Sequence, residues 1–220
     1  MAPQKKHKGP HLEHEQSCSG PVCGIDEAGR APLAGPVSAA CVYIPPDRVK
    51  DRFWKKVRDS KQVPAPVREE LFILITSKAC YGIALASVEE IDQMNIHHAS
   101  LLAMRRAQEN MTRDFGIVPE LALIDGKFIP KGLSCPGRTI VGGDDISRSI
   151  AAASILAKVY RDRLMRALHL EHPHYGWDSN VGYPTPPHIA AIRLHGFTVH
   201  HRRSFGVVRE LSQAELPLAV

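Results

Sequence analysis

No apolar run in this 220-residue chain approaches the ~20 residues a helix needs to cross a bilayer, so no membrane association is expected. The first 20 residues, MAPQKKHKGPHLEHEQSCSG, lack the apolar middle of a secretory signal. They set Lys5, Lys6 and Lys8 against Glu13 and Glu15, and residues 1–20 read as a disordered polar tail. Cysteines are few: Cys18, Cys23, Cys41, Cys80 and Cys135, an odd count at irregular spacing. That argues against a disulfide framework and for reduced thiols in a cytoplasm. Cys18 and Cys23 with His11 and His14 do not reproduce a usual zinc spacing. Excess negative charge is absent too. The net charge is +5 and the pI about 9.0, a modest surplus that suits a polyanionic partner but is common among soluble proteins. No internal repeat, low-complexity tract or second domain is visible. Residues 21–210 read as one globular domain large enough to bury its own core, with 211–220 as a C-terminal tail.

What the chain does have is Cys23-Gly24-Ile25-Asp26-Glu27-Ala28-Gly29-Arg30-Ala31-Pro32-Leu33-Ala34-Gly35-Pro36. Two adjacent carboxylates close a short apolar run, and a glycine-rich turn bearing an arginine follows. Neighbouring strand residues point to opposite faces, so Asp26 and Glu27 cannot both sit in one apolar layer. The expected place for the pair is at or near a strand end, where both oxygens reach one site. Gly29 and Gly35 permit positive φ and close backbone approach. Arg30 offers a guanidinium suited to forked contact with phosphate. Carboxylates that gather hard metal ions beside a cation and exposed amides suit phosphate-ester chemistry.

The rest of the chain falls into alternating elements. Val22–Ile25 and Val37–Ile44 read as strands, separated by too few residues for a helical crossover and therefore antiparallel neighbours. Pro66 suits the first turn of a helix running to about Lys78. Tyr81–Val88 reads as a strand, and residues 91–115 as mostly helical, with Asn95 as a cap. Leu121–Ile124 and Thr139–Val141 are short strands. Ser147 caps a long helix whose apolar stripe is Ile150, Ala153, Ala157, Tyr160, Leu164 and Leu168. A Gly- and aromatic-rich loop from Tyr175 to Pro184 precedes a short helix capped by Thr185. The class is α/β: a mixed sheet, antiparallel in its early strands and parallel in its later ones, flanked by helices and ending in a C-terminal helical segment.

Three of these strands run into acidic residues: Asp26-Glu27, Asp125 and Asp144-Asp145. Side by side in one sheet, their ends meet at one edge. Carboxylates crowded there repel one another unless divalent cations sit between them, and oxygen-only ligands favour Mg²⁺ or Mn²⁺ over zinc. Two such ions about 3.5–4 Å apart can hold the attacking and leaving oxygens of an in-line phosphoryl displacement. Each acidic residue alone also reads as the start of a surface turn, and Asp125-Gly126 is a common turn dipeptide. The shared strand-then-acid pattern favours the joint site.

The stretches GIDEAGRAPLAGPV, DSKQV, IDQMNIHHASLLAMRRA, LIDGK, GGDDISRSIAAASILAKVYRD, GYPTPPH and HHRRSFG, in this order from about residue 22 to 208, resemble ribonuclease HII, the bacterial type 2 ribonuclease H. The resemblance implies a ribonuclease H-like fold and hydrolysis of RNA paired with DNA. It also implies incision 5′ of single ribonucleotides embedded in duplex DNA, leaving 5′-phosphate and 3′-hydroxyl ends. It places metal-binding, catalytic carboxylates on Asp26, Glu27, Asp125 and Asp144, with Asp145 as a neighbour. The family's Gly-Arg-Gly element, whose backbone reads the ribose 2′-hydroxyl, falls on Gly29-Arg30-Ala31. The alanine is a departure that matters if its position needs a positive φ. Tyr183 matches a tyrosine that packs against the sugar beside the ribonucleotide. Ser60, Lys61, Ser154 and Lys158 are expected to meet phosphates, with a solvated helix face as the alternative for Lys158. Arg202 and Arg203 either touch the nucleic-acid backbone or brace the C-terminal segment.

His97-His98 and the group His169, His172 and His174 show no spacing of a closed metal site and read as ordinary core or surface residues. Nothing demands an oligomer, and a monomer is expected. Two competing readings are a junction resolvase on the same scaffold and a nucleic-acid-binding module without catalysis. Tyr183 and the Gly-Arg element argue against the first. The four carboxylates argue against the second, since a pure binder gains nothing from negative charge set against phosphate.

Overall fold

Every side chain of the second strand from Val37 to Val42 is buried, although successive strand residues point to opposite faces. Such a strand needs cover on both sides. The computed structural model, which describes residues 9–214, supplies it. The strands are β1 (Val22–Ala28), β2 (Val37–Tyr43), β3 (Cys80–Ala86), β4 (Leu121–Asp125) and β5 (Gly137–Ile140), in the spatial order β3-β2-β1-β4-β5. β1–β2 and β2–β3 are antiparallel, whereas β1–β4 and β4–β5 are parallel. The expected change from antiparallel to parallel pairing therefore falls at β1.

The helices are α1 (Ala65–Lys78), α2 (Val88–Phe115), α3 (Arg148–Glu171), α4 (Trp177–Asn180), α5 (Pro186–His195) and α6 (Gly206–Ala214). Strand alternation sorts the core between them. Cys23, Ile25, Val37, Ala39, Cys41, Ala122 and Ile124 face α2. Ala40 and Val42 face α1 and α3, and Val22, Leu121 and Leu123 meet Ile150 at the start of α3. Period two then assigns Asp26 and Asp125 to the α3 face and Glu27 to the other. A Cβ on Gly24 would collide with the backbone of Ser149 and Ile150, so α3 begins directly against β1. Among the described residues, no helix is long and apolar enough to cross a membrane.

Several expectations shift. Residues Ser149 to Ala157 are all buried, because α3 has neighbours on every side there. Its stripe is therefore wider than the predicted one, while Tyr160, placed in that stripe, is 41% exposed. Helix α2 starts earlier than expected, at a capping box in which Ser87 Oγ accepts from the Glu90 N–H and the Glu90 carboxylate accepts from the Ser87 N–H. Asn95 does cap, but from within α2: its φ is 68° and its Oδ1 accepts from the N–H groups of His97 and His98.

The expected disordered tail does not hold for residues 9–20, and its residues 1–8 lie outside the described residues. Glu15 Oε1 accepts from the Ser147 hydroxyl at 2.7 Å, the Ser149 N–H at 2.8 Å and the Ser149 hydroxyl at 2.7 Å. His11 donates its N–H to Ile146 O, and Leu12 packs on the core. The tail thus ties down the loop and first turn that position α3. Polar composition concealed this because the anchors are charge-assisted hydrogen bonds. At the other end α6 runs past 210 to Ala214, and the remainder of the expected C-terminal tail lies outside the described residues.

Glu15→Ala leaves the start of α3 without this acceptor. It is expected to cost about 1.5–3 kcal/mol, the range for hydrogen bonds to a charged group. That corresponds to a fall in Tm of roughly 3–12 °C for a chain of this size. Thermal unfolding followed by circular dichroism measures it, and an unchanged Tm would show the segment to be an ornament.

Candidate active site

Parallel pairing sets the C-terminal ends of β1, β4 and β5 side by side, and the acidic residues gather there. Asp26 and Glu27 lie near the C-terminal end of β1, Asp125 ends β4, and Asp144 stands on a short 3₁₀ turn, Gly143–Asp145, just beyond β5. All four line one cleft of about 260 Å³. Asp125 Oδ1 accepts from the Gly143 N–H at 2.7 Å, which fixes the turn carrying Asp144 against β4. Asp26 Oδ1 accepts from the Glu27 N–H at 2.7 Å. Asp145, expected as a neighbour, is exposed and its Oδ1 accepts from Gln62 Nε2 at 2.8 Å.

Crowding and burial act together on these groups. Burial first, then the charges of Glu27, Asp125 and Asp144, hold the Asp26 carboxyl well above the usual carboxylate range. Burial also raises Glu27, against the pull of Arg30, whose Nη1 lies 3.3 Å from Glu27 Oε1. Asp144 is pushed up to about 6 by burial and by Asp59 and Asp125. Burial pulls the Lys61 ammonium down, but Asp59, Asp144, Asp26 and Asp125 outweigh it and leave the group raised. A cluster that binds protons this readily is short of positive charge. Its donors are all carboxylate oxygens, the set that hard divalent cations prefer.

The turn after β1 faces the same cleft, contributing Gly29, Arg30 and Ala31. Gly29 has φ of 95°, whereas Ala31 is not among the described residues with positive φ. The glycine-to-alanine departure therefore lands where L-residues fit without strain. A Cβ on Gly29, by contrast, would collide with Arg161 Nε. Among the described residues, the N–H groups of Arg30 and Ala31 have no hydrogen-bond acceptor, which leaves both available to a ligand.

Two guanidiniums hold this turn, Arg202 and Arg161, the second of which the sequence reading did not single out. Arg202 is fully buried and donates to Gly35 O at 2.8 Å, Arg30 O at 2.9 Å and Gly29 O at 2.6 Å. Arg161, also fully buried, donates to Pro36 O, Val181 O and Ala34 O. Burial lowers Arg161 to about 10 and Arg202 to about 9, so both remain charged at neutral pH. Of the two roles left open for Arg202, the structure selects bracing, and what it braces is the turn after β1. Arg203 is exposed, its guanidinium 5.0 Å from the centre of the Phe197 ring.

Tyr183 enters the cleft from the far side and is 36% exposed. Its loop is held by Arg161 on Val181 O, by Leu33 N–H on Gly182 O, and by His188 Nδ1, 2.8 Å from Tyr183 O. The tautomers follow from the partners. His188 Nε2 accepts from Trp177 Nε1–H, so its Nδ1 carries the proton that Tyr183 O accepts. His201 Nδ1 accepts from the Thr198 N–H, so its Nε2 carries the proton and lies 3.2 Å from His188 Nε2, whose one lone pair it shares with the indole N–H. Both rings are neutral, and burial with neighbouring histidines holds His201 down to about 3. Val181, two residues before this loop's tyrosine, has φ of 43°, strained for a β-branched residue.

Ser60 and Lys61 line the cleft, as does Lys158, whose Nζ is 2.8 Å from Asp162 Oδ1 and 5.6 Å from the centre of the Tyr183 ring. Lys158 is thus half-buried rather than on a solvated helix face. Ser154 departs from expectation: it is buried, it does not line the cleft, and its hydroxyl accepts from the Ser60 N–H at 3.0 Å. It supports the loop that carries Ser60. His97 and His98 lie elsewhere, against Phe128.

A five-stranded mixed sheet with flanking helices and a carboxylate cleft at the ends of its central strands is the ribonuclease H-like architecture. A family model for ribonuclease HII matches residues 23–208, and the chain belongs to the ribonuclease HII family, the type 2 ribonuclease H endonucleases. It is 49% identical over 201 residues to ribonuclease HII of Paramagnetospirillum magneticum, covering 91% of this chain and 98% of the relative. It is 50% identical over 198 residues to that of Cupriavidus necator, covering 90% and 80%. Among solved structures, ribonuclease H2 from Pyrococcus horikoshii superposes with a TM-score of 0.66 at 25% identity, over 88% of this chain and 98% of that one. Bst ribonuclease HIII in complex with Mn²⁺ superposes with a TM-score of 0.71 at 17% identity, over 98% and 77%, a likeness of fold.

Arg202→Lys keeps a charge but cannot fork across three carbonyls. It is expected to lower kcat/KM on an RNA/DNA hybrid by up to about a hundredfold, the scale of an ångström-sized misplacement. Steady-state cleavage rates on protein shown by circular dichroism to be folded measure this, and a wild-type rate would remove Arg202 from the site's support.

Proposed function

We propose that this ribonuclease H hydrolyses the RNA strand of RNA/DNA hybrids and incises duplex DNA on the 5′ side of a single embedded ribonucleotide, leaving 5′-phosphate and 3′-hydroxyl ends. Asp26, Glu27, Asp125 and Asp144 would hold the Mg²⁺ or Mn²⁺ the reaction needs. The observation that carries the reading is the meeting of these carboxylates with the Gly29-Arg30-Ala31 turn and Tyr183 in one cleft. The fit of the metal rests on the donors: oxygen-only, crowded, and holding protons above the normal range. When bound, the metal polarises the phosphodiester and acidifies the attacking water.

The chain's own residues do the rest. The free N–H groups of Arg30 and Ala31 are placed to read the 2′-hydroxyl, the group that separates RNA from DNA. Arg202 keeps that backbone in place from behind. Tyr183 offers its ring to the adjacent sugar, with Lys158 beside it. Arg30, Lys61 and Lys158 meet the phosphates flanking the scissile bond, with Ser60 alongside. The cleft is complete within one chain, which suits action as a monomer. It works in the cytoplasm on hybrids and ribonucleotide-containing DNA.

The test is cleavage of a labelled DNA duplex with one ribonucleotide, in Mg²⁺ and in chelator, beside an all-DNA duplex and a long hybrid. Metal-dependent incision 5′ of the ribonucleotide is expected; cleavage of the all-DNA duplex would overturn the reading. Asp125→Asn is expected to lower kcat by at least about a thousandfold, equivalent to about 4 kcal/mol of transition-state stabilisation, while the melting curve stays cooperative. Retained Mg²⁺-dependent cleavage would refute the metal assignment. Tyr183→Ala is expected to weaken single-ribonucleotide incision more than duplex binding, and equal losses would remove its recognition role.

The raised carboxylates also set a pH dependence. A group whose folded pKa lies above its unfolded one binds protons that the unfolded chain has already released. In chelator, the stability these groups contribute is present below about pH 4 and lost as pH rises through about 6, the value for Asp144, and Asp26, also raised, adds to the loss. Mg²⁺ competes with those protons. The Mg²⁺-induced rise in Tm is therefore expected to be larger at pH 7.5 than at pH 5, and an equal rise at both would contradict the assignment.

A further inference from the structure

A second cluster of potential ligands lies away from the carboxylate cleft, where the end of α3 meets the segment after α5. Glu171, His172 and His200 each present one ligand atom, and these atoms all lie within 4.8 Å of one another. Nothing in the sequence joins them, because His200 is 28 residues beyond His172. Among the described residues, neither imidazole nor the Glu171 carboxylate has a side-chain hydrogen bond or ion pair. The two rings are nonetheless held in place. His172 stands edge-on to Trp177 with centroids 5.6 Å apart, His200 edge-on to the same indole at 6.1 Å, and the two imidazoles are 5.4 Å apart. Trp177 itself is fully buried. Glu171 is exposed and free to rotate.

We propose that Glu171, His172 and His200 form a second cation site, for Zn²⁺ or a like transition metal, with water in the fourth position. Two imidazole nitrogens and one carboxylate oxygen are a donor set that zinc takes, with bonds of about 2.0–2.2 Å. A tetrahedral ion with such bonds needs its donors about 3.4 Å apart, so rotation of Glu171 and a small closure of the rings seat it. Nitrogen donors also separate this site from the cleft by ligand class. Imidazole suits zinc, whereas the oxygen-only cleft suits Mg²⁺ or Mn²⁺.

The site would link two segments that the rest of the fold keeps in register. Glu171 ends α3 and His172 is its C-cap, while His200 O accepts from the Gly35 N–H and His201 pairs with Ala34. Two residues beyond His200, Arg202 holds the turn that lines the cleft. A cation on His172 and His200 therefore clamps the segment carrying Arg202 to the end of α3, and acts on stability without touching the reacting groups.

The test is isothermal titration of Zn²⁺ into the untagged, metal-free full chain with millimolar Mg²⁺ present to occupy the cleft. The variants are Glu171→Gln and the pair His172→Phe with His200→Phe, whose rings preserve packing on Trp177. Altering a group that merely orients a ligand already costs about 10–100-fold in metal affinity. The expected result is one equivalent of Zn²⁺ on the native protein, at least about tenfold weaker binding in Glu171→Gln, and at least about a hundredfold weaker binding in the phenylalanine pair. The same stoichiometry in an Asp125→Asn background would separate this site from the cleft. Zn²⁺ should raise Tm in the native protein and not in the phenylalanine pair. Equal Zn²⁺ binding in native and phenylalanine proteins, or none by the native chain under these conditions, overturns the proposal.

Discussion

The structure depends on two positive charges buried against backbone rather than against acids. Arg161 and Arg202 each spend their fork on three carbonyl oxygens, all in or beside the turn after β1 and the loop that carries Tyr183. A buried guanidinium is costly unless its donors are satisfied. Carbonyl dipoles satisfy them here while leaving every carboxylate of the cleft unpaired by either arginine. Had an aspartate been the partner, the turn would not have been fixed. Because the partners are main-chain atoms, the charge dictates the path of the chain itself.

The cleft inverts the charge of the molecule that surrounds it. A protein of net charge +5 concentrates four carboxylates at the ends of three strands, with Arg30, Lys61 and Lys158 around them. For a polyanionic strand, the cationic residues supply attraction to the backbone and the acidic floor repels it until cations intervene. Sheet geometry produces this economically. Parallel β1, β4 and β5 all deliver their C-terminal ends to one side, and the residue following an apolar run is the first one free to be charged.

Much of this was legible in the sequence. The strand-then-acid pattern pointed to Asp26, Glu27, Asp125 and Asp144 meeting in space but also included Asp145, which lies outside the cleft and which the family resemblance set aside, and the short β1–β2 connection foretold antiparallel pairing. Ser147 and Thr185 cap where their hydroxyls were expected to. What escaped notice shares one physical character. Glu15 on α3, Ser154 under Ser60, Arg161 and Arg202 under the turn, and the His188–His201 pair are polar side chains whose partners are distant in sequence. Periodicity reports which face of an element is apolar and is silent about a buried hydrogen bond. Arg161 stands among Lys158, Asp162, Arg163 and Arg166 on α3, so nothing in the sequence marks it as the buried guanidinium.

Arg202 also has a meaning in time. A ribosome delivers Asp26, Glu27 and the turn after β1 early, then β4, β5 and α3, and the guanidinium that fixes the turn's carbonyls only after all of these. A nascent or prematurely terminated chain can own all four carboxylates and still lack the group that shapes its substrate-facing backbone.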